Sequence, residues 1–399
     1  MKVRGGKKME QRLPKGFFAG GVSGGLKENK CDIGFIYSQN VCQAAGLFTN
    51  NQFPAAPVAL SRKVLQAGKL QGILVNSGGA NAITGERGVQ DAKKMQQLFA
   101  QKADLSQDLV AIASTGKIGE FLPMEKIKRA VSKIDLKEQN LIAFQEAIAT
   151  TDTQEKIISR EFLLDKTTIR LTGIAKGAGM VHPKLATVLV FLLTDADLTS
   201  EQLQRLLKKA ADNSLNQLTI DGESSTNDSC FLLANGASRK KVQLDSKAEA
   251  DFAEGLEQLL IDLTKKIARD GEGATKLLEV RVVGAETVRA ARKISKRIAQ
   301  SMLVKTAMFG EDPNWGRILS AIGDSNDRLD ITTIDVAVCW ETVLQQGIPA
   351  AFNEAELLEK LKQEEILIEV NLHGGREQAT AWGCDLSEKY VEINAAYRT

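Results

Sequence analysis

In the stretch HPKLATVLVFLLTDA, residues 182–196, a threonine, Thr187, opens an apolar run that follows the glycine-rich KGAGM at 176–180. A threonine hydroxyl is a weak nucleophile and needs an adjacent base. The chain holds only two histidines, His182 beside Pro183 and His373 in an HGG turn, without HxxxH or HExxH spacing. A Ser-His-Asp arrangement is therefore poorly supplied, and a histidine zinc site is not indicated. A threonine at a newly made N-terminus needs neither, because its own α-amine, titrating at about 7.7–8.0, takes the hydroxyl proton. That chemistry requires a cut between Ala186 and Thr187, in a loop whose flanking glycines and proline restrict the backbone where the hydroxyl would attack. By itself a β-branched residue at the start of a strand is an ordinary packing choice. The scarcity of other bases is what gives Thr187 a chemical reading.

Two further loops, NSGGANA (76–82) and STGKIG (114–119), consist of small residues that leave backbone N–H groups free to approach a ligand. In the second, Thr115 and Gly116 could offer a hydroxyl and an amide to an oxyanion. KGAG itself is neither a Walker A loop nor a GxGxxG that opens a helix, since a proline and another strand follow, so nucleotide binding is disfavoured there.

These loops need strands to carry them. GILVN and LVAIAS each run into their loop and then into a helical pattern, GVQDAKKMQQLFAQK and PMEKIKRAVSKI. TTIRLTGIAK is a third strand and the run starting at Thr187 a fourth. SEQLQRLLKKAADNSLNQ and DFAEGLEQLLIDLTKKIARDG carry apolar residues at helical spacing. A fresh alternation begins near residue 280, where EVRVVGA leads to the helix ETVRAARKISKRIAQSM and then to ITTIDVAVCW, ILIEVNLHGG and ATAWGCDLS as strands. The expectation is an α/β fold with a larger unit over 1–280 and a smaller α/β unit over 281–399.

At 399 residues and 43% apolar content the chain can bury a sizeable core. Its 52 basic and 50 acidic side chains, a net charge of +2, supply no bulk field for nucleic acid or an anionic membrane. Five cysteines without CxxC spacing fit reduced thiols and a cytoplasmic setting. The longest apolar run, Val188 to Leu193, is too short to span a bilayer, and the basic start is followed by no stretch of signal-peptide length.

Taken together, TNNQFPAAPV (49–58), VNSGGANAITG (75–85), ASTGKIG (113–119), ATTDT (149–153), KGAGMVHPKLATVL (176–189), DGESSTNDS (221–229), RDGEGATK (269–276), GEDPNWGRI (310–318) and INAAYRT (393–399) run nearly end to end. In this set the chain resembles the ornithine acetyltransferase family of arginine biosynthesis, the bifunctional glutamate N-acetyltransferases. The resemblance implies an N-terminal-nucleophile-like sheet-and-helix domain, self-cleaved before Thr187 into fragments 1–186 and 187–399 that stay associated as a heterotetramer. It implies Thr187 as nucleophile and Thr115 with Gly116 as oxyanion hole. It implies substrate contacts from Thr150, Lys176, Thr187, Glu272, Asn394 and Thr399, with small-molecule substrates N-acetylornithine and glutamate. No metal or resident cofactor is implied, and acetyl-CoA is a possible second donor. Two stretches depart from the family pattern: Gly79 stands where asparagine is usual in NSGNANA, and VHPKL replaces an APNM-like stretch.

The expected activity is acetyl transfer from N-acetylornithine to glutamate through an acetyl-Thr187 enzyme. Two alternatives stay open from sequence: an N-terminal-nucleophile amidase or aminopeptidase with water as acceptor, and a binding protein whose glycine loops only hold a small molecule.

Overall fold

The computed structural model describes residues 12–164, 167–182, 188–325 and 329–396. Within them the first sheet contains β1 (Phe17–Val22), β2 (Ile33–Phe48), β3 (Lys69–Asn76), β4 (Val110–Ser114), β5 (Ile157–Leu164), β6 (Thr167–Lys176), β7 (Leu189–Thr194) and β8 (Ser229–Ala234). Their order is β4-β3-β2-β8-β7-β6-β5, with β1 paired to β2. The second sheet contains β9 (Leu277–Ala285), β10 (Asp335–Val338), β11 (Glu341–Gln345), β12 (Ile348–Pro349), β13 (Glu365–Asn371) and β14 (Glu377–Cys384), in the order β12-β11-β10-β13-β9-β14. The helices are α1 (Ala56–Val64), α2 (Gly85–Ala103), α3 (Met124–Ser132), α4 (Leu141–Ile148), α5 (Ser200–Asp212), α6 (Lys247–Arg269), α7 (Val288–Gln300), α8 (Met302–Phe309), α9 (Gly316–Gly323), α10 (Glu354–Leu361) and α11 (Glu388–Ala396). The mixed α/β class with two sheets is the one expected from the alternation of patterns.

Strands β7 and β8 lie side by side and parallel, with Leu189 opposite Ser229, and every residue of both is buried. Burial on both faces is why LVFLLT reads as a continuous apolar run rather than an alternation. One face packs on α5 and α6 through Leu203, Leu207, Leu256 and Leu260. The other meets α4, where the Phe144 ring sits edge-on to Phe191 at 5.2 Å and Phe191 stacks on Phe231 at 5.7 Å. The sheet is thus covered by helices on both sides. Gly173 lies inside β6 rather than in a strand-end turn: a Cβ there would fall 2.5 Å from Leu259 Cδ2, so its lack of a side chain lets α6 lie close.

In the second sheet, α7 buries Ala291, Ile294 and Ile298 while its basic side chains face outward. The helix read over 286–302 breaks at Ser301, whose hydroxyl accepts from the Val304 N–H at 3.4 Å and starts α8. Only Asp335–Val338 of ITTIDVAVCW is strand, because Asp330 caps a turn by accepting from the Thr332 N–H at 3.0 Å. The sheets are joined where the Thr219 N–H donates to the Trp382 carbonyl at 2.9 Å and Trp382 and Cys384 enter the first core. Among the described residues no helix is long and apolar enough to cross a membrane.

Candidate active site

Parallel neighbours β3 and β4 end together, with Asn76 opposite Ser114, so the two small-residue loops emerge at one edge. Their carbonyls are claimed by buried amides. Asn76 donates to the Gly79 carbonyl at 2.9 Å and accepts from Ser114 Oγ at 2.5 Å. Asn227, arriving just before β8, donates to the carbonyls of Ala80 at 2.6 Å and Ser114 at 2.9 Å. Buried polar groups that are fully paired hold a loop rigidly. Gly116 has φ +122°, and a Cβ there would lie 2.6 Å from the Gly78 carbonyl carbon. Only glycine fits. At Gly79 a Cβ would meet only the tip of the Leu122 side chain, at 2.9 Å, so the demand for glycine there is weaker than at Gly116.

Lys176 closes β6, and its Nζ donates to Thr115 Oγ1 at 3.2 Å. Burial lowers its pKa, opposed by the carboxylate of Asp152. Asp152 accepts from the Gly177 N–H at 2.8 Å and the Thr150 N–H at 3.0 Å, and pairs with Lys156 at 2.7 Å. Lys156 is fully buried and also pairs with Asp270 at the end of α6. Burial works against the charge of Asp152, but Lys156, Lys176 and the Gly177 N–H outweigh it and hold the carboxyl well below its ordinary range. This network ties the segment after α4 to the mouth of β6. It sets Thr150 and Lys176 side by side.

Glu272 reaches the same place from the turn after α6, its N–H donating to the Ala178 carbonyl at 2.8 Å. A Cβ on Gly179 would lie 2.4 Å from the Glu272 carboxyl, so the glycine makes room for it. Helix α11 returns from the second sheet, and Asn394 Nδ2 donates to Glu272 Oε2 at 2.8 Å. Asp221 accepts from the N–H groups of Met180 at 2.5 Å and Val181 at 2.9 Å. Burial and the nearby carboxylates of Asp221 and Glu272 push the Tyr390 hydroxyl up.

Thr115, Gly116, Thr150, Lys176, Glu272 and Asn394 all line one cavity of about 270 Å³. Ala186, Thr187 and Thr399 lie outside the described residues. The cavity wall does include Val188 and Leu189, which follow Thr187 in the chain. Neither histidine lines it; His182 Nδ1 is 3.0 Å from Thr219 Oγ1 and His373 meets Asp335 at 2.6 Å.

Sequence reasoning missed Asp152, Lys156, Asp221, Asp228 and Asp270. Each but Lys156 falls within a motif read above, ATTDT, DGESSTNDS or RDGEGATK, and Lys156 lies three residues beyond ATTDT. Only the fold shows which carboxylates turn inward. Asp228 is 3% exposed, lines the cavity and has one oxygen without a hydrogen-bond partner among the described residues. Burial raises its carboxyl well above the ordinary range, with Lys176 acting in the opposite direction.

A Gly116→Ala substitution is expected to fold and yet lose function. Alanine at this φ must push the loop away from Gly78, moving the Gly116 amide and the Thr115 hydroxyl off the cavity wall. A lost oxyanion donor costs roughly 100-fold or more in kcat with KM less affected. Steady-state kinetics beside a melting curve check it, and wild-type kcat would remove this loop from the chemistry.

The ArgJ family matches residues 18–399. Over 388 residues the chain is 46% identical to the arginine biosynthesis bifunctional protein ArgJ of Listeria monocytogenes serotype 4b, covering 97% of this chain and 98% of that one. It is 44% identical over 388 residues to the protein of the same name from Oceanobacillus iheyensis, covering 97% and 95%. Among solved structures, the arginine biosynthesis bifunctional protein argJ of Bacillus halodurans is 42% identical, with a TM-score of 0.51, over 52% of this chain and 98% of that one. The chain belongs to the ArgJ family.

Proposed function

We propose that this protein moves an acetyl group from N-acetylornithine to glutamate through an acetyl ester on Thr187, after cutting itself between Ala186 and Thr187. The observation that carries the reading is the convergence of Thr115, Gly116, Thr150, Lys176, Glu272 and Asn394 on one cavity whose wall runs into Val188. The printed names of the relatives, arginine biosynthesis bifunctional protein ArgJ, support it. So does the half-length solved chain, which 52% of this one covers almost completely, as a cut near the middle would produce.

In the first half-reaction the Thr187 hydroxyl attacks the acetyl carbonyl while its α-amine takes the proton. The carbonyl oxygen becomes an oxyanion that the Thr115 hydroxyl and the Gly116 N–H face. Lys176, by donating to Thr115 Oγ1, occupies a lone pair of that hydroxyl and leaves its hydrogen to point at the oxyanion. The C–N bond then breaks and ornithine leaves with the proton on its amine. Glutamate's α-amine attacks the ester, and the same groups act in reverse. Glu272, Asp221 and Glu223 face the cavity as partners for ammonium groups, and Lys176 is the cation nearest for a substrate carboxylate. Acyl transfer of this kind needs no metal or redox cofactor. Acetyl-CoA fits as a second donor of the same acetyl group, and two copies each of fragments 1–186 and 187–399 make the assembly, working in the cytoplasm.

Incubation with N-acetylornithine alone should add about 42 Da to the 187–399 fragment, and glutamate added later should remove it, as covalent catalysis requires. Intact-mass measurement checks this. An unchanged mass would point to direct transfer, and loss of the acetyl group to water at the same rate with and without glutamate would make the enzyme an amidase.

A further inference from the structure

The loop at 23–31 joins β1 to β2 and supplies no residue to the cavity wall. It is folded on Asp32, a fully buried carboxylate that accepts from the N–H groups of Gly24 at 2.6 Å, Leu26 at 2.6 Å and Lys27 at 3.1 Å. Three charge-assisted bonds to one carboxylate fix the shape of so short a loop. The Asp32 carbonyl in turn accepts from the Ser77 N–H at 2.8 Å, and a Cβ on Gly78 would lie 3.2 Å from Leu26 Cβ. The loop is thus seated behind Gly78, the residue against which Gly116 packs.

On its other side the same loop holds the end of α4. Lys27 Nζ donates to the carbonyls of Glu146 at 2.8 Å and Ala149 at 2.9 Å. The helix does not continue past them, because the Thr150 N–H turns to Asp152. The Cys31 N–H donates to Glu146 Oε2 at 3.1 Å, so both ends of the loop grip one helical turn. Ser77 Oγ adds a bond to the Ala147 carbonyl at 2.6 Å. The residue that follows Ala149 is Thr150, on the cavity wall.

Burial is the largest influence on the Lys27 ammonium and lowers its pKa to about 8, against the pull of Asp32 and Glu146. A helix end needs no buried cation, since water or a glycine cap satisfies its carbonyls. What Lys27 secures is therefore the segment beyond the helix.

We infer that Lys27 is a positioning residue for acetyl transfer: by joining the loop behind Gly78 to the last carbonyls of α4, it sets Thr150 at a fixed distance from the Thr115–Gly116 loop. A ligand that touches both walls needs that distance held, and a displacement of about 1 Å can cost about 100-fold. Asp152 ties Thr150 toward β6, and Lys27 ties it toward β1 and β2. The Thr115–Gly116 loop has separate support from Asn76 and Asn227. Loss of Lys27 frees the Thr150 side, so the effect falls on substrate binding rather than on the chemical step. The part given to Thr150 rests on the acetyl-transfer reading; the tie itself does not.

Lys27→Met keeps the apolar stem and removes Nζ. It is expected to raise KM for N-acetylornithine about tenfold while kcat stays within about threefold of wild type, the pattern of lost ground-state binding. Hydrogen exchange followed by mass spectrometry should quicken over 146–153 and not across the chain. Lys30→Met, at an exposed lysine of the same loop, should match wild type in both respects. A Lys27→Met protein with wild-type KM, with kcat lowered in place of KM, or with exchange quickened throughout overturns the inference. The wild type gives a test that needs no variant: saturating ornithine should slow exchange at 149–153 and at 23–31 together, and slowing of the first segment alone overturns the coupling. Should the wild type transfer no acetyl group, the reading of the cavity fails; quickened exchange over 146–153 in Lys27→Met would still support the tie, and unchanged exchange would end it.

Discussion

Thr187→Ala is expected to leave one 43.3 kDa chain without acetyl transfer, whereas the wild type separates under denaturing conditions into pieces of about 20 and 23 kDa, the second starting with threonine. The substitution removes both the group that would attack the Ala186–Thr187 bond and the group that would carry the acetyl. Among the described residues that line the cavity there is no histidine, and the one lysine, Lys176, is engaged with Thr115. Loss of a nucleophile commonly costs about four orders of magnitude or more in kcat. Thr187→Ser keeps a hydroxyl and should still process, more slowly. Denaturing electrophoresis with N-terminal sequencing separates these outcomes. A wild-type protein that stays whole and still transfers acetyl groups would end the N-terminal threonine reading, whereas a cut but inactive one would keep the processing and remove the activity.

Asp152→Ala is expected to destabilise the fold by roughly 3–5 kcal/mol at pH 7, as breaking a buried ion pair does. The alanine leaves Lys156, which is fully buried, with Asp270 as its remaining ion-pair partner, and it strips the N–H groups of Gly177 and Thr150 of their acceptor. The pH dependence has a definite sign. Asp152 has a folded pKa below its unfolded one, so it binds fewer protons folded than unfolded. Its contribution is complete above the ordinary aspartate pKa of about 4 and is lost as pH falls below it. The gap between wild type and variant should therefore narrow on acidification. Asp152→Asn, which keeps the shape and removes the charge, should fall between them. Urea unfolding at neutral and acid pH measures all three, and equal stability of wild type and alanine variant at pH 7 would show that the network carries no net stability.

Much of the fold was legible because local pattern and final environment agree. Patterns at 72–76, 109–114 and 167–176 fall on β3, β4 and β6, and the one at 251–271 on α6 and the two residues after it, since an apolar stripe at the right period finds a partner face wherever it lands. Reading failed where a local contact interrupts a longer pattern, at the Ser301 cap between α7 and α8 and at the Asp330 turn before β10. Long β2 and the short C-terminal helix α11 were not read at all. The first bends past exposed residues at 39–41 in mid-strand, and the second has no buried residue to give it a stripe.

The sequence by itself determined which chemistry was within reach: two histidines, a threonine heading an apolar run, and loops of small residues at 76–82, 114–119 and 176–180. These follow from residue type, which needs no neighbours to be stated. Only the tertiary structure decided that loops following β3, β4, β6, α4 and α6, together with a helix from the far end of the chain, face one cavity. It also decided that Asp152 is a paired anion while Asp228, equally buried, is held toward its neutral form. The reason is that a carboxyl's charge state depends on which cations and N–H donors lie within a few ångströms and on how much water is excluded: Lys156, Lys176 and the Gly177 N–H converge on Asp152, whereas Lys176 and Ser225 do not offset the burial of Asp228.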